Sequence, residues 1–141
     1  MQNGTVVFSL ALSQLGRVTV DGGGGSDTLT LDYTFGAPLT SAGLGFTGGG
    51  SAGDQIVLTG YDVGQVVVTH EGPGNGTIQV GTTGQVDFAQ TAPVVLDGAA
   101  AEVVVNLPEG TPNPGAAVGA AGTPGFAVVA GTTFASTRFR D

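Results

Sequence analysis

The 141-residue chain contains no cysteine, no tryptophan and no lysine, and only 6% of its residues are aromatic. Without cysteine there are no disulfides, no zinc sites with thiolate ligands and no cysteine nucleophile. With so few aromatic residues, the core must be built mainly from Val, Leu, Ile and Ala. No apolar run approaches the ~18 residues of a membrane-spanning helix, so no membrane insertion is expected.

Positive charge is also scarce. Three arginines stand against 11 acidic residues, which gives a net charge of −8. This charge repels nucleic acid and anionic lipid surfaces, so neither is expected as a partner. Acidic surfaces attract cations, and calcium is the usual one outside cells. The first residues lack the basic region of a signal peptide, and we expect the chain to be a fragment of a longer exported polypeptide.

Glycine is abundant, at 27 residues, and together with seven prolines it interrupts almost every possible helix. Between the glycines lie short β-branched runs that suit strands. The strand candidates are residues 5–10, 17–20, 28–33, 43–46, 55–58, 65–69, 77–80, 85–88, 94–96, 102–107, 126–129 and 136–139. They begin about 8–12 residues apart, a spacing that indicates a sandwich, a barrel or a solenoid.

An internal repeat favours the solenoid. The stretch from Val18 aligns with the stretch from Leu44 at an offset of 26, and the stretch from Asp27 aligns with that from Asp54 at an offset of 27. Each unit consists of a strand, a glycine corner, an aspartate and a second strand. The repeat length matches that of one β-helix coil. The predicted stacked pairs are Val18 with Leu44, Val20 with Phe46, Leu29 with Ile56, and Leu31 with Leu58.

The first glycine corner fits the nonapeptide G-G-x-G-x-D-x-U-x between residues 22 and 30. In calcium-binding β-rolls, such a turn supplies backbone carbonyls and a hard carboxylate oxygen. The second corner, residues 48–54, carries one inserted residue. The candidate calcium ligands are Asp27, Asp54, Gly23, Gly25 and Gly49. The favoured interpretation is nevertheless a glycine corner whose aspartate caps backbone N–H groups without metal, because the inserted residue can displace the carbonyls of the second corner.

The sequence from Arg17 to Gly60 resembles repeats of very large bacterial cell-surface proteins. These carry V-x-V-D-G-G-x-G-x-D-T-L-T-V-D, a short linker, and then a G-L-x-F-x-G-G unit, which here begins at Gly43. The resemblance is to haemagglutinin-type and RTX-like surface proteins, and it implies an extracellular location and a β-helical fold.

The predicted fold is therefore all-β, a right-handed parallel β-helix of a few coils, with a β-sandwich as the alternative. Residues 1–106 form the predicted β-helix segment, residues 107–124 a Pro/Gly/Ala-rich loop or linker, and residues 125–141 the terminal strands. Within the linker, the Ala-rich stretch 115–122 is predicted as a loop, or as a single helical turn. Open coil ends expose unpaired edges, so end-to-end self-association is expected.

Catalysis is not predicted. His70, beside Glu71, is the only histidine, and the chain has no cysteine and no lysine to act with it. Asp32, Asp62, Asp87 and Asp97 could in principle provide the carboxylate pair of a glycoside hydrolase, but aromatic sugar platforms are few. The sequence thus predicts a structural or adhesive module that binds a surface glycan or protein. A calcium-dependent folding module is the first alternative, and a carbohydrate-active enzyme is less favoured.

Overall fold

The computed structural model describes residues 11–82, 84–110, 112–113 and 115–140, and in these it is an all-β protein without an α-helix. One 3-10 turn, Leu12–Gln14, precedes ten strands that form one mixed sheet. The strands are β1 Val18–Asp21, β2 Thr28–Asp32, β3 Leu44–Thr47, β4 Gln55–Gly72, β5 Asn75–Val80, β6 Gln85–Ala89, β7 Val94–Asn106, β8 Ala117–Ala120, β9 Phe126–Ala130 and β10 Thr137–Arg140. The strand predicted for residues 5–10 lies outside the described residues.

The first two coils stack in the predicted register. β1 pairs in parallel with β3, with Val18 opposite Leu44 and Val20 opposite Phe46. β2 pairs in parallel with the start of β4, with Leu29 opposite Ile56 and Leu31 opposite Leu58. All four predicted pairs are confirmed, and their parallel direction distinguishes them from the antiparallel pairs of a sandwich.

A third coil continues this stack although its sequence shows no repeat. β6 pairs in parallel with β3, with Leu44 opposite Val86, and β7 pairs in parallel with β4, with Ile56 opposite Val94. The offsets are therefore 42 (86 − 44) and 38 (94 − 56), against 26 and 27 in the first step. The difference arises because the second half of β4 and β5 form an antiparallel hairpin between the coils.

The sheet as a whole is mixed, which differs from a purely parallel β-helix. β5 pairs antiparallel with both β4 and β6, and β9 pairs antiparallel with both β8 and β10. Two pairs of predicted strands also merge, since β4 covers 55–58 and 65–69 and β7 covers 94–96 and 102–107 almost completely.

The Ala-rich stretch 115–122 is not the loop that the sequence predicts, because it contains strand β8. β8 pairs antiparallel with β9, with Val118 opposite Val129. Alanine and glycine have low β-propensity, so this strand depends on its hairpin partner and not on its own residues. The predicted domain boundaries at 106 and 124 stay predictions.

The core lies between the stacked strands. In the second and third coils, Ile56, Leu58, Val94 and Leu96 are fully buried. The hairpin adds Val66, Val68, Ile78 and Val80, also fully buried. Like residues thus lie above each other in successive coils, and this continuous aliphatic stack holds the glycine corners at one end of the strands.

Candidate functional site: the glycine–aspartate corner

The two predicted calcium-binding loops lie side by side. We call residues 22–27 and 48–54 together the glycine–aspartate corner. The Gly25 N–H donates to Ser51 Oγ at 3.2 Å, and Ser26 Oγ donates to the Ala52 carbonyl at 2.8 Å. The Gln55 N–H donates to the Asp27 carbonyl at 2.8 Å. The structure therefore brings all five predicted ligand residues into one place.

Asp54 is the anchor of this corner and is only 1% exposed. Its Oδ1 accepts the backbone N–H of Asp27 at 2.9 Å, and its Oδ2 accepts the backbone N–H of Ser51 at 3.0 Å. One carboxylate thus joins the second loop to the first, through charge-assisted hydrogen bonds that are stronger than neutral ones. This is the backbone-capping role that the sequence offers as the alternative to calcium.

Glycine is needed where the two loops touch. Gly49 has φ 102°, and a Cβ on it would lie 2.7 Å from the carbonyl carbon of Gly23 and closer still to its oxygen. A Cβ on Gly22 would lie 2.7 Å from the Gly48 carbonyl oxygen. Gly24, by contrast, has open space around it and no positive φ. The corner therefore requires particular glycines and tolerates side chains at others.

Asp27 is bonded less completely than Asp54. Its carboxylate Oδ2 is buried and has no hydrogen-bond partner among the described residues. A buried carboxylate oxygen without a donor carries an energetic cost, so this atom has unused capacity to bind a ligand. It is the observation at this corner that points to a cation.

Few side-chain oxygen ligands are nevertheless available for a metal ion at this corner. Within the ranges that the structure describes, no group of three or more His, Asp or Glu side chains is arranged to hold a metal ion. Both Asp54 oxygens already accept N–H groups, which leaves Asp27 Oδ2 and backbone carbonyls. Calcium usually takes six to eight oxygen ligands, so most would have to come from carbonyls and water. Calcium at Asp27, Asp54, Gly23, Gly25 and Gly49 stays a prediction.

We expect Asp54→Asn to lower the free energy of unfolding by about 1–3 kcal/mol, measured by urea denaturation with a chelator present. The amide replaces one acceptor with an N–H₂ group, which then faces a backbone N–H. The matched control is Asp62→Asn, which changes the same charge at an exposed position. Equal effects of the two substitutions would mean that Asp54 does not act as a cap.

His70 has a side chain of a type that can act in catalysis or metal binding, but the structure places it in the core. It is 1% exposed, and its Nε2 lies 2.8 Å from Thr137 Oγ1. Its ring packs against Phe88 and Phe134, at centroid distances of 5.9 and 5.2 Å. Burial lowers the pKa of His70 to about 4. The sequence places His70 near a turn, and its burial was missed because its partners Phe134 and Thr137 lie more than 60 residues away.

This burial predicts that acid destabilises the protein. In the unfolded chain His70 regains a pKa near 6.5, so between pH 6.5 and 4 the unfolded chain binds a proton that the folded chain does not. The free energy of unfolding should fall as pH drops through this window, by about 3 kcal/mol in total. To check this, the free energy of unfolding is measured by urea denaturation at successive pH values, for the wild type and for His70→Gln. The prediction is contradicted if the free energy of unfolding depends on pH no more strongly in the wild type than in the variant.

Three of the four carboxylates considered for glycoside hydrolysis serve other contacts, and the fourth, Asp62, is exposed. Asp87 forms an ion pair with Arg17, and Asp97 forms one with Arg140. Asp32 accepts the Thr34 backbone N–H at 2.9 Å, and hydrogen bonds from Thr34 lower the pKa of Asp32. A general acid needs a raised pKa, and the environment of Asp32 acts in the opposite direction.

No helix in the described part of the chain has the length and apolar character needed to cross a membrane. Comparison with known proteins adds no relationship: no protein-family description, no curated protein and no solved structure matches this chain.

Proposed function

We propose that this chain is a structural or adhesive module of an exported bacterial surface protein, built as a short right-handed parallel β-solenoid, and that it has no catalytic role. The observation that supports this most is the parallel stacking of two glycine–aspartate coils in register, Leu29 on Ile56 and Leu31 on Leu58. Coils of this kind form a continuous core without disulfides, which suits an exposed, extended module.

The side chains that could do chemistry support the same proposal through their contacts. His70 packs between two aromatic rings, and Asp87 and Asp97 pair with arginines. Each of these side chains therefore already has a partner within the fold. The outer surface of the stack is then available for a surface glycan or protein.

Location and adhesion are tested separately. Antibodies against the chain should label intact cells of the source bacterium as strongly as permeabilised cells. Beads coated with the purified chain should bind immobilised glycans or host-cell surfaces, and beads coated with the heat-denatured chain should not. Labelling only after permeabilisation would contradict the export, and release of sugars from a polysaccharide panel would contradict the absence of catalysis.

A calcium-dependent folding module is the second candidate, because Asp27 Oδ2 is buried without a donor. If calcium binds the folded chain alone, a calcium concentration 100 times the dissociation constant adds about 2.7 kcal/mol of stability. The melting temperature should then rise with calcium in the wild type and not in Asp27→Asn. No rise in the wild type across millimolar calcium would remove this candidate.

A further inference from the structure

The strands follow two paths from one end of the molecule to the other. The first path runs from β1 through β3, β6 and β5 to the second halves of β4 and β7, residues 62–72 and 99–106. The second path runs from β2 through the first halves of β4 and β7, residues 55–59 and 94–97, to β10, β9 and β8. We call the end with β1 and β2 the head, and the end with residues 99–106 and β8 the tail.

Strand direction at the head matches strand direction at the tail. On the first path the antiparallel steps are β6 to β5 and β5 to β4, and two reversals cancel. On the second path they are β10 to β9 and β9 to β8, and these cancel as well. β1 therefore runs parallel to residues 99–106, and β2 runs parallel to β8. A second copy placed on the same axis would continue both paths with parallel pairs.

Both ends carry free edges and half-buried apolar side chains. Within the described residues, β1 pairs only with β3, β2 only with β4, and β8 only with β9. At the head, Val18, Val20 and Leu29 are partly buried, whereas Phe46 and Ile56 in the next coil are 3% and 0% exposed.

The tail has the same character. Residues 99–106 of β7 have β4 on one side and no described strand on the other. Next to this edge lies an apolar groove of about 420 Å³, and Val118 on β8 is 73% exposed. The side chains that line the groove include Val103, Val105, Leu107, Val118, Val129 and Phe139.

The two ends also carry opposite charge. Residues 11–32 at the head hold Arg17 against Asp21, Asp27 and Asp32, a balance of −2. At the tail, residues 99–106 hold Glu102, and residues 115–140 hold Arg138 and Arg140 and no acidic residue, a balance of +1. Opposite charges favour head-to-tail contact over head-to-head contact. The whole chain is at −8, so physiological salt is needed to screen the repulsion between copies.

We propose that the chain stacks head to tail on a second copy of itself, with β1 pairing in parallel with residues 99–106 of β7 and β2 pairing in parallel with β8. The contact is heterologous, so it continues into an open filament instead of closing into a dimer. This inference is independent of the proposed surface location.

Two proline substitutions block one end each. The Val18 N–H donates to the Gly43 carbonyl just before β3, and the Gly22 N–H donates to Thr47 at its end. By alternation the Thr19 N–H points away from β3 along the free edge. The Ala121 N–H donates to β9, so the Val118 N–H points away from β9 in the same way. Thr19→Pro and Val118→Pro thus remove a free-edge donor without breaking a hydrogen bond within the molecule. Thr19→Ala and Val118→Ala keep the donor and serve as controls, and circular dichroism confirms that each variant folds.

Sedimentation velocity over a wide concentration range at physiological salt provides the test. We expect the wild-type mass to rise with concentration beyond that of a dimer, and each proline variant alone to stay smaller than its alanine control. An equimolar mixture of the two proline variants should form a dimer through their unblocked ends and stop there. A wild type that stays monomeric, or proline variants that assemble like their alanine controls, would overturn the proposal.

Discussion

Gly49→Ala should destabilise this protein more than any other single methyl group added at the corner, by about 2–5 kcal/mol. The backbone of Gly49 has φ 102°, where a side chain costs about 1–2 kcal/mol. The added Cβ would also overlap the Gly23 carbonyl of the neighbouring coil, and overpacking of this kind costs about 1–3 kcal/mol. The two coils would have to move apart at the point where Asp54 joins them.

The matched control for this substitution lies in the same loop pair. Gly24→Ala adds the same methyl group where there is open space and no positive φ, so its effect should stay within about 0.5 kcal/mol. Urea denaturation of the two variants compares them directly. Similar stabilities of the two variants would mean that the coils are not in close contact at Gly49.

Ile56→Ala should lower the free energy of unfolding by about 2–5 kcal/mol. Ile56 is fully buried and lies in the middle of a stack, with Leu29 on one side and Val94 on the other. The neighbours are held by strand pairing, so they cannot collapse into the cavity. Thermal and urea denaturation measure the loss.

Leu29→Ala is the comparison for the stack. Leu29 belongs to the same row of residues but lies in the head coil, where it is only partly buried. Its loss should therefore be clearly smaller than that of Ile56. A larger effect at Leu29 than at Ile56 would contradict the order of the coils.

The sequence predicted the first two coils because their repeat has nearly constant length. Val18 and Leu44 are 26 residues apart, and Leu29 and Ile56 are 27 apart, so the stacked pairs could be found by alignment alone. The third coil could not be found in this way, because the hairpin formed by β4 and β5 adds residues between Leu44 and Val86. An insertion changes the offset without changing the stacking.

The glycine positions led to wrong predictions of where the long strands end. Gly60 separates two predicted strands, but in the structure it lies within β4. It has no Cβ, which would lie 2.5 Å from Thr34 Oγ1, so the backbone can pass close to Thr34. β8 was missed for the opposite reason, since three of its four residues, Ala117–Ala120, are alanine or glycine and all four are exposed. In both cases the partner strand decides the conformation, and a single sequence carries little information on partners.

At the corner, the sequence predicted which residues meet but not what each one does. The repeat places Asp27 and Asp54 in equivalent positions, yet Asp54 accepts two backbone N–H groups and Asp27 has one buried oxygen without a donor. Asp54 Oδ1 bonds to the preceding coil, and Asp27 in the head coil has no described coil before it. Asp54 Oδ2 bonds to Ser51 within the second loop, which carries the inserted residue.

The direction and register of the β2–β4 pair can be measured most directly with engineered disulfides, since the native chain has no cysteine. Thr28 lies opposite Gln55, and Gln55 Nε2 donates to Thr28 Oγ1 at 3.0 Å. Thr28→Cys with Gln55→Cys should therefore oxidise readily to a disulfide within one molecule. Thr28→Cys with Thr59→Cys should not, because four residues along a strand separate these positions by about 13 Å. Cross-linking of the second pair instead of the first would show antiparallel strands and would contradict the stacked coils on which the account depends.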